Sequence, residues 1–198
     1  MKKLFSLVAL AAFFALSGCS SKLMDPVVSQ QVTPQGEEAS ITFFRSSMLG
    51  GMVQAPIAEE IPLADLQLVG ICSTDTKVRH IVTPGQHIYV VGGESGSLLE
   101  AEVAPGMNYY VRVTPRFGWA KARFEMVAVS PEELASPEVQ KEIRGCVLVS
   151  PNKTAEKWFA ENKKSMKDKW QTAKIKFQTR EDTSKNILPS SYGVLELY

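Results

Sequence analysis

Cysteine and histidine have the widest chemical repertoire of any side chains here, and the sequence holds three of the first and two of the second. His80 and His87 flank a Pro84-Gly85 turn. A hairpin with a four-residue loop sets Val82 opposite His87 and His80 opposite Tyr89, which places both imidazoles on one face as diagonal neighbours. Two imidazoles can share a metal ion, but a stable zinc site takes three or four ligands. No neighbouring Cys or carboxylate in the sequence completes the set, so no metal is expected. Acyl transfer or metal-assisted hydrolysis would need a nucleophile beside a base, or a clustered ligand set. The chain has no GxSxG, HExxH, CxxC or Walker pattern. No catalytic residue and no cofactor is assigned, and a non-enzymatic protein is expected.

Cys19 has a different chemistry. It closes Leu16-Ser17-Gly18-Cys19, preceded by Lys2 and Lys3 and by an apolar run from Leu4 to Leu16. A positive start followed by an apolar run too short for a permanent span is the pattern of a signal peptide. The four residues at its end match the lipobox of bacterial lipoproteins, in which the cysteine thiol takes a diacylglycerol before cleavage. Residues 1–18 therefore read as a leader and Cys19 as the lipidation site, with membrane lipid as the first partner. One acyl chain anchors only marginally, whereas the three usual for such proteins hold firmly. Ser20 is not the Asp that resembles an inner-membrane retention signal, so the expected address is the outer membrane, on its periplasmic face.

With Cys19 acylated, Cys72 and Cys146 form an even pair in an oxidising compartment, and a disulfide between them is expected. Closing a loop of roughly 75 residues would stabilise by on the order of 4 kcal/mol. Two buried free thiols are the other reading.

Two segments suggest recognition. RFGWAKAR sets Phe117 and Trp119 among Arg116, Lys121 and Arg123, a combination able to stack on a sugar ring or hold an acidic polymer. A half-buried strand is the plainer account. Residues 153–180 carry nine Lys or Arg against three Asp or Glu, a basic stretch suited to head groups or peptidoglycan carboxylates, or simply to solvent. The formal net charge is +1 and falls to −1 once Lys2 and Lys3 leave with the leader. No global field favours nucleic acid, which is not an expected partner.

The elements that must position these residues follow from periodicity. Hydrophobic residues at 44% and charged residues at 22% give an ordinary globular mixture. Residues 19–39 read as the lipidated cysteine and a flexible tether, 40–149 as a β-rich domain, and 150–198 as a basic helical C-terminal extension. ITFFRSS reads as a strand, MLGGMVQAPIAEEIP as a long loop after it and LQLVGIC as a second strand. VTPGQHIYVV at 82–91 is echoed by VAPGMNYYVR at 103–112. In each, Pro presets the first turn position and Gly supplies the positive φ of the next, which predicts two hairpins or corners. Strands are expected near 77–82, 87–92, 98–104, 108–114 and 120–129, with GGESG (92–96) as a hairpin loop. Ser130, Pro131 and Glu133 mark a helix start that Pro137 divides and Gly145 stops. CVLV returns to the sheet. A helix then runs from an Asn152 or Thr154 cap to about Thr179, with Trp158, Phe159, Met166, Trp170, Ala173 and Phe177 along one stripe. The fold class is mainly β: an antiparallel β-sandwich or curled sheet of about seven strands with a C-terminal amphipathic helix.

ITFFR after a lipidated tether, then PGxH with a following apolar strand, then PGxxYYVR, resembles the uncharacterised domain of many small bacterial envelope lipoproteins, over roughly residues 40–130. That resemblance implies a mainly β periplasmic domain and brings no site with it. The function expected is a binding or scaffold role toward an envelope protein or peptidoglycan. An envelope hydrolase or carbohydrate-binding module using the Trp119 region is the alternative.

Overall fold

Apolar residues at every second position leave each strand with a face that must be covered, and eleven strands among the described residues meet that need by pairing into two sheets. The computed structural model describes residues 22–27, 33–46, 53–63, 65–116, 122–179 and 186–198. The leader and Cys19 lie outside them. The strands are β1 (Met24–Pro26), β2 (Ala39–Arg45), β3 (Ala55–Ile61), β4 (Asp65–Cys72), β5 (Thr76–Val82), β6 (Gly85–Val91), β7 (Ser97–Val103), β8 (Asn108–Arg116), β9 (Arg123–Ala128), β10 (Val147–Pro151) and β11 (Ile187–Leu188). Helices α1 (Pro131–Leu134) and α2 (Pro137–Gly145) precede β10, and α3 (Lys153–Thr179) follows it.

The first sheet has the order β1-β10-β5-β2-β8-β9 and the second β11-β7-β6-β3-β4. Most neighbours are antiparallel, but β2 with β8, β10 with β5 and β11 with β7 are parallel, so both sheets are mixed. The strand count exceeds the expected seven for local reasons. The segment expected as a long loop contains β3, whose Ala55, Ile57 and Ala58 are fully buried. The expected tether contains β1, which pairs with β10. Within the closing YGVLELY, Val194 makes an isolated bridge to Asn108 of β8.

Ile41 and Phe43 of β2, Val78 of β5, and Tyr109 and Val111 of β8 face Ile57, Ile71, Tyr89, Val91 and Leu99 of the second sheet, forming the main core. On the outside of the first sheet, Phe44 and Tyr110 pack against Leu134 of α1 and Ile143 of α2. On the outside of the second, Ala58, Val90 and Leu98 lie under Phe159, Met166, Trp170 and Ala173 of α3. The extension is thus packed onto the sandwich.

Both helical starts follow the sequence signals. Ser130 Oγ accepts from the Glu133 amide at 3.2 Å while Glu133 Oε2 accepts from the Ser130 amide at 3.1 Å. Asn152 Oδ1 accepts from the amides of Thr154 and Ala155, so Asn152 is the cap of α3.

The two Pro-Gly turns are corners. The first carries the chain from β5 in the first sheet to β6 in the second, and the other returns it from β7 to β8. Gly85 and Gly106 take φ values of 132° and 69°, open to glycine at no steric cost. β5 and β6 therefore do not pair, and His80 and His87 are not the diagonal hairpin neighbours that a four-residue loop would give.

The expected Cys72–Cys146 disulfide is not formed, and both cysteines are buried thiols. Cys72 belongs to the core between the sheets, whereas Cys146 belongs to the cluster outside the first sheet. Each donates weakly to a different carbonyl of β2, Cys72 to Phe43 at 3.8 Å and Cys146 to Arg45 at 3.7 Å. Burial, with smaller charge effects, pushes Cys72 up to about 12 and Cys146 up to about 11, which removes them as nucleophiles.

Candidate functional site at the mouth of the sandwich

Strand alternation sets which side chains enter the gap between the sheets. In β5, Val78 and Val82 point into the core, so His80 between them does too. The same alternation turns His87 and Tyr89 inward from β6. Glu59 lies opposite Tyr89 on β3. The two histidines thus come from opposite sheets, and a carboxylate that the sequence placed 21 residues from the nearer of them stands between.

Glu59 spends one oxygen on each imidazole. His80 Nε2 is 2.8 Å from Oε2, and His87 Nδ1 is 2.6 Å from Oε1. Burial raises the Glu59 pKa, but the hydrogen bonds and charges of His80 and His87 outweigh it and hold the carboxyl at about 2. The ionised carboxylate only accepts, so both facing nitrogens carry protons. His87 Nε2 also lies 2.8 Å from the Thr83 carbonyl, another acceptor. With an acceptor at each ring nitrogen, His87 is an imidazolium, and its pKa is raised chiefly by the Glu59 bond, against the effect of burial. Tyr89 lies beneath, its ring centroid 6.0 Å from that of His80 and 6.2 Å from that of His87. Its hydroxyl is buried without a hydrogen-bond partner among the described residues, and burial followed by the Glu59 charge drives the phenol pKa upward.

The chemistry open to this cluster is narrow. Both nitrogens of His87 and both oxygens of Glu59 are committed to structural bonds, so neither serves as a poised base. Among the described residues no group of three or more His, Cys, Asp or Glu is arranged to hold a metal ion. Glu59 bridges the imidazoles instead of converging with them on one point. The cluster is a polar tie between two sheets.

Beside it opens a cleft of about 740 Å³ on the outer face of the second sheet. It lies on the flank of α3, where the helix leaves the sheet uncovered. Residues of the helix cover the cross-strand row Ala58, Val90 and Leu98, and on the cleft side of that cover the Lys174 ammonium meets both Glu60 oxygens at 3.1 and 3.2 Å over the Trp170 ring. Trp170 Nε1 also donates to Glu60 at 3.1 Å. The rows beyond, Ile88 with Glu100 and Gln86 with Glu102, form the floor. Ile187 forms one wall. On the other side stands the β3–β4 turn, where Leu63 is 98% exposed with φ at 68°. That left-handed conformation costs a leucine about 1 kcal/mol. Glu100 and Glu102 are exposed and have no ion-pair partner among the described residues.

Of the surface expected from RFGWAKAR, Phe117, Trp119 and Lys121 lie outside the described residues. Arg116 and Arg123 line a second hollow of about 500 Å³ with Phe177 of α3. Their guanidinium groups are each bound through two nitrogens, Arg116 to Glu125 and Arg123 to Glu94. The cleft and the His80–Glu59–His87 tie were not visible in the sequence reading. The signal that would have led to them is Glu59-Glu60 within AEEIPL, where a strand rich in carboxylates ends in a turn carrying an exposed leucine. Among the described residues no helix is long and apolar enough to cross a membrane. No protein-family model matches the chain, and no curated protein matches it.

Proposed function

We propose that the chain is a lipid-anchored, non-enzymatic binding or scaffold protein of the cell envelope, attached through Cys19 to the outer membrane and facing the periplasm. The anchor rests on the lipobox and leader. The binding role rests on one observation: Leu63 is held almost fully exposed, at a conformational cost, on the rim of a cleft floored by carboxylates that have no ion-pair partner among the described residues. Backbone strain at Leu63 opposes folding, and strained residues cluster at binding sites. The partner engages this cleft. An envelope protein fits it better than peptidoglycan, because carboxylates on the floor repel the carboxylates of the wall.

Site-specific photo-crosslinking in intact cells tests the reading. A photoreactive residue replacing Leu63 should give a discrete adduct, identified by mass spectrometry, that disappears in a Cys19→Ala background. The same probe at exposed Glu138 on α2, on the opposite side of the sandwich, should give none. Equal adducts from both positions, or no adduct from residue 63, would reject the cleft as the partner site.

A further inference from the structure

We infer that the cleft takes a short segment of a partner protein in which cationic and apolar side chains alternate. The cations reach Glu100 and Glu102, and the apolar groups seat on Ile88 and Ile187 against Leu63. This inference rests on the reading of the cleft as the partner site and adds the chemistry of what enters it.

The chain's own packing supplies the pattern. On the side of α3 that borders the cleft, Lys174 straddles Glu60 with its ammonium on both oxygens and 5.0 Å from the Trp170 ring. One carboxylate at the start of the cleft is therefore satisfied by a lysine backed by an apolar surface. The next carboxylates repeat the demand without a supplier among the described residues. Glu100 and Glu102 are two residues apart on β7, so both point outward at a spacing of about 7 Å. Ile88 lies directly across from Glu100 on β6, and Ile187 lies across from it on β11. The floor therefore reads apolar, acidic, apolar across the sheet, and a segment alternating in the same sense matches it. The cation held within the chain, Lys174, is engaged by Glu60, and His87, which also lines the cleft, is engaged by Glu59. The attraction is local, because the whole chain is close to neutral.

The test uses the full-length chain and a fluorescent peptide of about ten alternating lysine and leucine residues, with an alternating glutamate and leucine peptide as its opposite. Anisotropy should show the lysine peptide binding at least tenfold more tightly than the glutamate peptide. Glu100→Lys combined with Glu102→Lys should weaken the lysine peptide by at least tenfold and strengthen the glutamate peptide by a similar factor. Both positions are exposed, so circular dichroism and the unfolding midpoint should match those of the unaltered chain. Lysine-peptide binding that survives the double reversal, or a glutamate peptide that binds the unaltered chain equally well, overturns the inference. If peptide binding fails while the residue 63 probe still captures a partner in cells, the assigned chemistry is wrong and the site stands. If both fail, the site falls with it.

Discussion

Replacing Glu59 by Gln should remove the tie between the sheets while preserving the shape of the side chain. The Glu59 carboxyl lies near 2 instead of its usual 4.5. A difference of about 2.5 pKa units corresponds to roughly 3 kcal/mol in favour of the charged form in the folded state. Glu59 and His87 side chains are each 13% exposed. The mouth of the sandwich is nonetheless open to water, so the loss belongs at the lower end of the range for breaking a buried pair, about 2–3 kcal/mol. For a chain of this size that lowers the thermal midpoint by about 5–10 °C. The pH dependence is the sharper signature. Glu59 is depressed, so its contribution is present above about 4.5 and is lost as pH falls through about 2. His87 is raised, so its contribution is complete below its ordinary 6.5 and is lost as pH rises through its higher folded value. The gap between the two proteins should be widest between about pH 4.5 and 6.5 and should narrow on both sides. Urea unfolding followed by tryptophan fluorescence at pH 5.5 and pH 9 measures it. Equal midpoints at pH 5.5, or a gap that does not shrink at pH 9, would refute the assignment of Glu59 as the charged centre of the cluster.

Three other outcomes follow from the packing. Leu63→Gly should leave stability unchanged or raise it by up to about 1 kcal/mol, because glycine accepts a φ of 68° freely, while partner capture at the cleft declines; a clear fall in the unfolding midpoint would contradict the strain. Gly96→Ala should destabilise by about 1–3 kcal/mol, since its Cβ would lie 2.7 Å from the Lys169 carbonyl oxygen of α3, and an unchanged urea midpoint would show that the β6–β7 loop and helix separate easily. Cys72 and Cys146 should resist iodoacetamide at pH 8 in the folded protein and both react in urea without reductant. A two-dalton mass deficit and silent thiols in urea would restore the disulfide.

Much of the architecture was legible because its causes are local. β-branched and aromatic residues in ITFFR marked β2, and alternation in GQHIYVV and RFEMVA, which depends only on which residues are apolar, marked β6 and β9. Caps act over three or four residues, so Ser130 identified one helix start and Asn152 or Thr154 narrowed a second to within two residues. The stripe from Phe159 to Ala173 fixed which face of α3 would be covered. β3 was harder to read, since Gly and Pro around APIAEEI obscured a strand whose buried half is only four residues long.

Residues joined across sheets take their partners from the packing of segments far apart in the chain. The sequence defined two Pro-Gly turns but left open whether each reverses the chain within a sheet or carries it to the other. Because both are corners, His80 faces His87 across the core and Glu59 enters from a third strand to hold them. The same crossing assigns Cys72 and Cys146 to different apolar clusters. The cleft depends on which row of the second sheet α3 crosses: it covers Ala58, Val90 and Leu98 and leaves the rows of Glu100 and Glu102 open beside it. Periodicity specifies the face of each element, and the contacts between faces are fixed by register and crossing among segments far apart in the chain.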